Sequence, residues 1–189
     1  MMKSTSEASL IAEYKRLLGK TIRGNHSIYA SEMYHFWKYA QDFDVRRIVE
    51  SGTYHGSSIA RLRMLFPKAE LITFEFRKGH FNRIKRVDGV DYRLGELKNH
   101  LKLITPHTAV LIDGPKRKNA VRLARQCLNK GALFVGIHDM YDHVGYLGGK
   151  VKRLSHSGTP SAEIKKLDCR TKMPQYSKKY YGTVLAVVR

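Results

Sequence analysis

Apolar side chains recur at helical spacing near the start of the chain, in Leu10, Ile11, Tyr14, Leu17 and Leu18, and predict a first helix over Glu7–Leu18. Ser4 or Ser6 can cap it, and Gly19 ends it. A polar loop, GKTIRGNHS, follows, and a second helix is predicted over about Ala30–Gln41. Its aromatics Tyr34, Phe36, Trp37 and Tyr39 suit either core packing or a lid over a site, with core packing the simpler reading.

From Val45 the period shortens. VRRIVE reads as a strand, SGTYHGSS as a glycine-containing turn, and IARLRMLF as a helix closed by Pro67. The strands ELITFEF, VDYRLG, TAVLID and ALFVGIHD follow, separated by HFNRIKRV, ELKNHLKLI and KRKNAVRLARQCLNK, all three read as helices. Strands that alternate with helices and run almost continuously apolar predict an α/β protein with a parallel sheet covered on both faces. Residues 140–179, rich in glycine and lysine, read as an excursion with one or two short helices, and YYGTVLAVV as a final strand at the sheet edge. No repeat or linker interrupts the pattern. The expectation is one domain over 1–189: a helical extension (1–44), a core (45–139), the excursion (140–179) and the last strand (180–189).

Composition supports a globular reading. The chain has 189 residues, 42% of them hydrophobic, enough for one domain with a proper core. No apolar run approaches a membrane span, and the opening residues lack a secretory apolar region, which together predict a cytoplasmic protein. Cys127 and Cys169 form neither a zinc spacing nor a disulfide framework, and Cys127 falls on the apolar face of a helix. Charge changes the picture more. Lys and Arg total 35 against 16 Asp and Glu, a formal net charge of +19. That suits a polyanionic partner such as nucleic acid, acidic polysaccharide or an anionic membrane surface, or else a basic solvated surface.

In an open parallel sheet, ligands bind beyond the carboxyl ends of the strands. Those ends are Glu50–Ser58, Glu75–Phe76, Gly95–Glu96, Asp113–Lys116 and His138–Asp139, and each carries a carboxylate. In ESGTYHGSS, Gly52 allows a sharp turn, Gly56 allows close approach at a helix start, and the N–H groups of Ser57 and Ser58 favour an anionic group. The spacing is neither the dinucleotide G-x-G-x-x-G nor a P-loop. Glu75, 23 residues past Gly52, can accept two hydrogen bonds from ribose hydroxyls, and Phe76 offers a face for adenine. The other reading of Glu75 is a surface pair with Arg77 or Lys78.

The run Glu50-Ser51-Gly52-Thr53-Tyr54-His55-Gly56-Ser57-Ser58 resembles motif I of the class I S-adenosylmethionine (SAM)-dependent methyltransferases, in the E-x-G-x-x-x-G-x-S form of the catechol O-methyltransferase-like branch. Glu75 falls where that family has its ribose-binding acid, and Gly95–Glu96 resembles its Gly-Asp step near the adenine amino group, with Glu in place of Asp. Ser51 stands where many members have an apolar residue. VLIDGP (110–115) and GALFVGIHD (131–139) resemble the fourth and fifth strands. The resemblance covers about Val45–Asp139. It implies a Rossmann-like, doubly wound, mostly parallel seven-stranded sheet with the last strand antiparallel, SAM as cofactor, and methyl transfer.

An acceptor hydroxyl needs a base or a metal as charge develops on oxygen. Asp113, His138 and Asp139 lie at adjacent strand ends and form the candidate catalytic group. The resemblance implies a divalent cation, magnesium, at Asp113 and Asp139; His138 is less suited to magnesium and can be the general base instead. Both aspartates can equally cap the helices that follow. The fourth strand lacks the Asn/Asp-Pro-Pro-aromatic run of amino methyltransferases, which argues against adenine or cytosine N-methylation of nucleic acid and leaves ribose and other hydroxyl targets open. Basic clusters at 77–86, 116–125 and 150–179, the last interleaved with Tyr176, Tyr180 and Tyr181, predict an anionic acceptor: a small molecule, a glycan or an RNA. The alternative is an inactive methyltransferase-like module that binds nucleic acid or another polyanion.

Overall fold

A computed structural model describes residues 6–19, 28, 30–138, 151–155 and 185–189. Five strands, β1 (Arg47–Ser51), β2 (Glu70–Glu75), β3 (Val90–Leu94), β4 (Thr108–Ile112) and β5 (Phe134–Ile137), are joined to β6 (Val151–Ser155) and β7 (Leu185–Val188) in one sheet of order β3-β2-β1-β4-β5-β7-β6. Strands β1 to β5 pair in parallel, and β7 is antiparallel to both β5 and β6. The chain reverses its winding direction between β1 and β4. In such sheets that switch point opens a crevice at the strand carboxyl ends.

Alternate residues of each strand feed two cores, as the two-residue period of a strand requires. Ile48, Leu71, Ala109, Leu111, Phe134, Leu185 and Val187 face one side. There they meet helices α1 (Glu7–Leu18), α2 (Ala30–Ala40) and α3 (Ser57–Leu65). Val49, Ile72, Phe74, Val110, Ile112, Val135 and Ile137 face the other side, against α5 (Lys118–Asn129) and the segment carrying Leu97 and Ile104. Helix α1 spans the residues its periodicity predicts, with the Ser6 hydroxyl accepting from the Ser9 amide at 3.2 Å. The α2 aromatics are core: Tyr34, Phe36, Trp37 and Tyr39 are all buried, and the Phe36 ring lies 5.2 Å from that of Phe134 on β5. Cys127 is buried in α5, and burial pushes its thiol up to about 12.

Four expectations change. The segment 96–104 is not an α-helix but two 3-10 turns, Leu97–Asn99 and Leu101–Leu103. His100 leaves the helical region between them, and its ring packs 5.1 Å from Phe74, a tertiary contact that outweighs local propensity. The helix read in HFNRIKRV shrinks to α4 (Lys78–Phe81). The last strand is not at the edge: β7 lies between β5 and β6, and all four of its residues are buried, as befits an unbroken apolar run. The excursion contributes an edge strand, β6, where only helices were expected. Asp139, Cys169, Tyr176, Tyr180 and Tyr181 lie outside the described residues. Among the described residues no helix is long and apolar enough to cross a membrane.

Candidate active site

The turn after β1 is shaped by two glycines in the left-handed region, Gly52 (φ 96°) and Gly56 (φ 87°). A Cβ on Gly52 would stand 2.6 Å from the amide nitrogen of Gly114, and one on Gly56 would stand 2.9 Å from the carbonyl oxygen of Lys85. No side chain fits either place. The turn after β1 therefore touches the turn after β4. Backbone bonds reinforce the contact: the amides of Asp113 and Gly114 both donate to the Ser51 carbonyl, at 2.9 and 2.8 Å, and the Ser51 hydroxyl donates to the Gly114 carbonyl.

Beneath the turn lies a buried polar chain. Thr53 and Thr73 join their hydroxyls, and Thr73 donates to Oε2 of Glu50 at 2.6 Å. Glu50 is fully buried, and its Oε1 makes no hydrogen bond. Burial pushes this carboxyl up to about 7, against the opposing pull of the Ser58 and Thr73 hydroxyls. Glu50, Ser51, Thr53 and Ser58 thus form the underside of the turn, with each side chain buried. Ser57 and Ser58 open α3, whose N-cap is Gly56. Tyr54 holds a left-handed backbone (φ 51°), and its ring stacks on His55 at 3.9 Å.

Glu75 ends β2 with its carboxylate turned towards that loop. Oε2 accepts from the Tyr54 amide and Oε1 from the Arg77 amide, each at 2.9 Å. The expected alternative, a side-chain pair with Arg77 or Lys78, is not what holds it. Each oxygen retains a second lone pair for a further donor. Gly95 donates its amide to the Glu75 carbonyl at 2.9 Å, which brings the end of β3 alongside. Glu96 is placed differently from the other members of the predicted set. Its carboxylate is half exposed and paired with Lys98 at 2.6 Å.

The rim of this crevice breaks a rule that the rest of the described chain keeps. Among the described residues, the large hydrophobic side chains left exposed are Tyr54 (36%), Phe76 (58%) and Leu94 (47%). They sit just beyond or at the carboxyl ends of β1, β2 and β3, around Glu75. Phe76 also carries the Arg77 guanidinium 5.2 Å from its ring centroid. Phe76 is legible in the sequence as a candidate; Leu94 is not, because it reads as one more strand residue.

The ends of β4 and β5 carry titratable groups instead. Lys116 Nζ donates to Asp113 Oδ1 at 2.5 Å. His138 is buried, with Nε2 3.8 Å from Asp113 Oδ1 and Nδ1 3.2 Å from Oε1 of Glu32. Glu32 lies in the first turn of α2, fully buried, and sequence reading missed it. An acidic residue in a first helical turn is ordinary and gives no sign of a partner 106 positions away. Among the described residues no group of three His, Cys, Asp or Glu side chains could hold a metal ion. Of the pair implied for a cation, Asp113 is the described member, and it already carries an ammonium. The basic residues at 118–125 lie on the solvent face of α5. A groove of about 180 Å³ between α5 and β7, lined by Val121, Leu128 and Val188, is remote from these strand ends, since Val188 pairs with Val135 near the start of β5.

No family model matches the chain, and no curated protein matches it. Solved structures do. An O-methyltransferase from Bacillus cereus in complex with SAH superposes with a TM-score of 0.52 at 16% identity, covering 100% of this chain and 94% of that one. The chain shares the Rossmann-like, mostly parallel α/β fold of that structure. A cmcI structure with Mg and SAM gives 0.53 at 18% identity over 84% of this chain and 72% of its own. A fibrillarin/Nop5p complex gives 0.51 at 8% identity over 76% and 71%. In this sheet the turn after β1 and the acid ending β2 lie at the strand carboxyl ends, and Asp113 and His138 follow the ends of β4 and β5.

Proposed function

We propose that the protein is a SAM-dependent methyltransferase acting on an oxygen of an anionic small molecule or carbohydrate. The observation that carries this reading is the rim: exposed Tyr54, Phe76 and Leu94 surround a buried carboxylate with acceptor capacity to spare. Exposed apolar surface beside a fixed acceptor suits a ribose and a purine ring. Gly52 and Gly56 leave room on the loop where any side chain would clash, and the N–H groups opening α3 favour the carboxylate of an amino-acid tail. The residues present therefore fit the cofactor. When bound, SAM supplies a methyl group that the acceptor's oxygen displaces from its sulfonium, the C–S electron pair passing to sulfur.

The chain's own residues have two tasks. Glu75, Tyr54 and the glycine turn orient the nucleoside. His138 takes the acceptor's proton at Nε2, with Asp113 facing the cation that results. Lys116 and the exposed basic run at 77–86 supply positive charge near the crevice, which favours a negatively charged acceptor. Titration calorimetry with SAH tests the reading: the wild-type chain binds it, and Glu75→Ala binds it roughly one to two orders of magnitude more weakly. Absence of heat and of any rise in melting temperature at large SAH excess would refute it.

A further inference from the structure

We propose that the exposed basic run 77–86, with the aromatic rings its arginines cover, is a docking surface for single-stranded RNA. The inference rests on the methyltransferase reading only in its choice of RNA over DNA.

Charge is the first observation. Between Glu75 and Asp88 the chain has no acid and places five cations, Arg77, Lys78, Arg83, Lys85 and Arg86. All of them are exposed. Elsewhere such side chains meet carboxylates: Arg46 pairs with Asp44, Arg47 with Glu70, Arg93 with Asp91 and Lys98 with Glu96. Among the described residues the cations of this run have no acidic partner. Like charges crowded on one surface repel each other, and a polyanion relieves the repulsion while releasing its own counterions.

The run is fastened to the glycine turn. Ile84 is buried, and a Cβ on Gly56 would stand 3.1 Å from its Cγ2. The Lys85 amide donates to the His55 carbonyl at 3.3 Å. The cations therefore flank the loop on which the proposed cofactor rests, and a strand docked on them lies beside the site.

The second observation is what the guanidinium groups cover. Arg77 lies over the Phe76 ring, 5.2 Å from its centroid, and Arg86 lies over Phe81 at 5.1 Å and Tyr92 at 5.4 Å. A ring and a guanidinium together offer stacking surface beside a positive charge, which is what an unstacked base and its phosphate require. An acidic polysaccharide answers the charge but has no flat bases to stack. A duplex keeps its bases inside. A single strand meets both observations. The acceptor proposed above is an oxygen on an anionic small molecule or carbohydrate; a ribose hydroxyl between two phosphates is an oxygen of that kind, and deoxyribose lacks it.

The test is fluorescence anisotropy of a labelled single-stranded RNA of mixed sequence, titrated with the full chain over a range of salt concentrations. Wild type is expected to bind with a dissociation constant below about 100 µM at physiological salt. Arg83→Gln with Arg86→Gln is expected to weaken binding about tenfold or more and to flatten the salt slope by about 1.4, at about 0.7 per lost phosphate contact. Phe81→Leu is expected to weaken it about fivefold or more with the slope unchanged, through lost stacking. The control pair Arg122→Gln with Lys130→Gln removes the same charge from exposed positions on and just past α5. It is expected to change RNA affinity less than about threefold. Absence of RNA binding, or an equal loss in the control pair, overturns the inference, the latter by showing that net charge alone attracts RNA. So does an unchanged affinity in Phe81→Leu, or displacement of the RNA by a sulfated glycan at an equal concentration of charge. A DNA strand of the same sequence that binds more than about tenfold tighter overturns the choice of RNA. SAH titrations of the same wild-type sample separate the two readings. If SAH binds and RNA does not, the docking surface alone falls. If RNA binds and SAH does not, the methyltransferase reading falls and takes with it the choice of RNA over DNA.

Discussion

The carboxyl ends of β1, β2 and β3 present backbone amides, glycines and exposed hydrocarbon, with the Glu75 carboxylate accepting hydrogen bonds from two backbone amides. The ends of β4 and β5 present side chains that can change charge, Asp113, Lys116 and His138, the last held from behind by Glu32. On the proposed function the first half holds the cofactor. The second has the mutually oriented donors and acceptors that a proton transfer requires. The two halves touch at a seam where Gly52 lies against Gly114. A shared sheet can thus carry recognition and chemistry as separable parts, and substitutions should divide accordingly.

The seam itself is the most sensitive point. Gly52→Ala forces a Cβ against the Gly114 backbone at a left-handed φ, and is expected to cost about 3 kcal/mol or more of stability and to abolish SAH binding. Urea denaturation and calorimetry read both. Next comes Glu75→Ala, which removes the acceptor for two backbone amides as well as the acceptor proposed for the ribose. Loss of charged hydrogen bonds worth about 1.5–3 kcal/mol predicts a fall in SAH affinity of roughly one to two orders of magnitude. Both substitutions strike the binding half.

Gly136→Ala strikes the other half. It meets the Phe36 ring, shifts α2 and is expected to cost about 1–3 kcal/mol while leaving SAH affinity nearly intact. Equal damage to binding and to the His138 environment would erase the distinction between the halves.

The smallest effect is expected at Glu50, which lies under the seam. Its folded value is raised to about 7, so the native state holds a proton that the unfolded chain releases, and stability falls as pH rises towards 7. Glu50→Gln should therefore stabilise the chain at pH 8 by on the order of 1–2 kcal/mol and have little effect at pH 4, where the carboxyl is protonated in both states. Thermal melts at the two pH values check the sign. Greater stabilisation at the lower pH would contradict the burial argument.

The sequence by itself determined the alternation of strands and helices, the glycine turn and the acid that closes β2. Each is written in a short stretch: a strand, its turn and the next helix form one local unit, and the period of apolar residues reports burial directly. Gly52 and Glu75 are far enough apart to belong to different strands, yet β1 and β2 are neighbours, so their juxtaposition follows from the ordinary pairing of consecutive parallel strands. What only the tertiary structure decided were relations between distant segments. These are the insertion of β7 between β5 and β6, the break at His100, and the meeting of Glu32 with His138. No local period encodes them. The last of them depends on which helix is laid across β5, where a missing Cβ at Gly136 lets the Phe36 ring of α2 sit down.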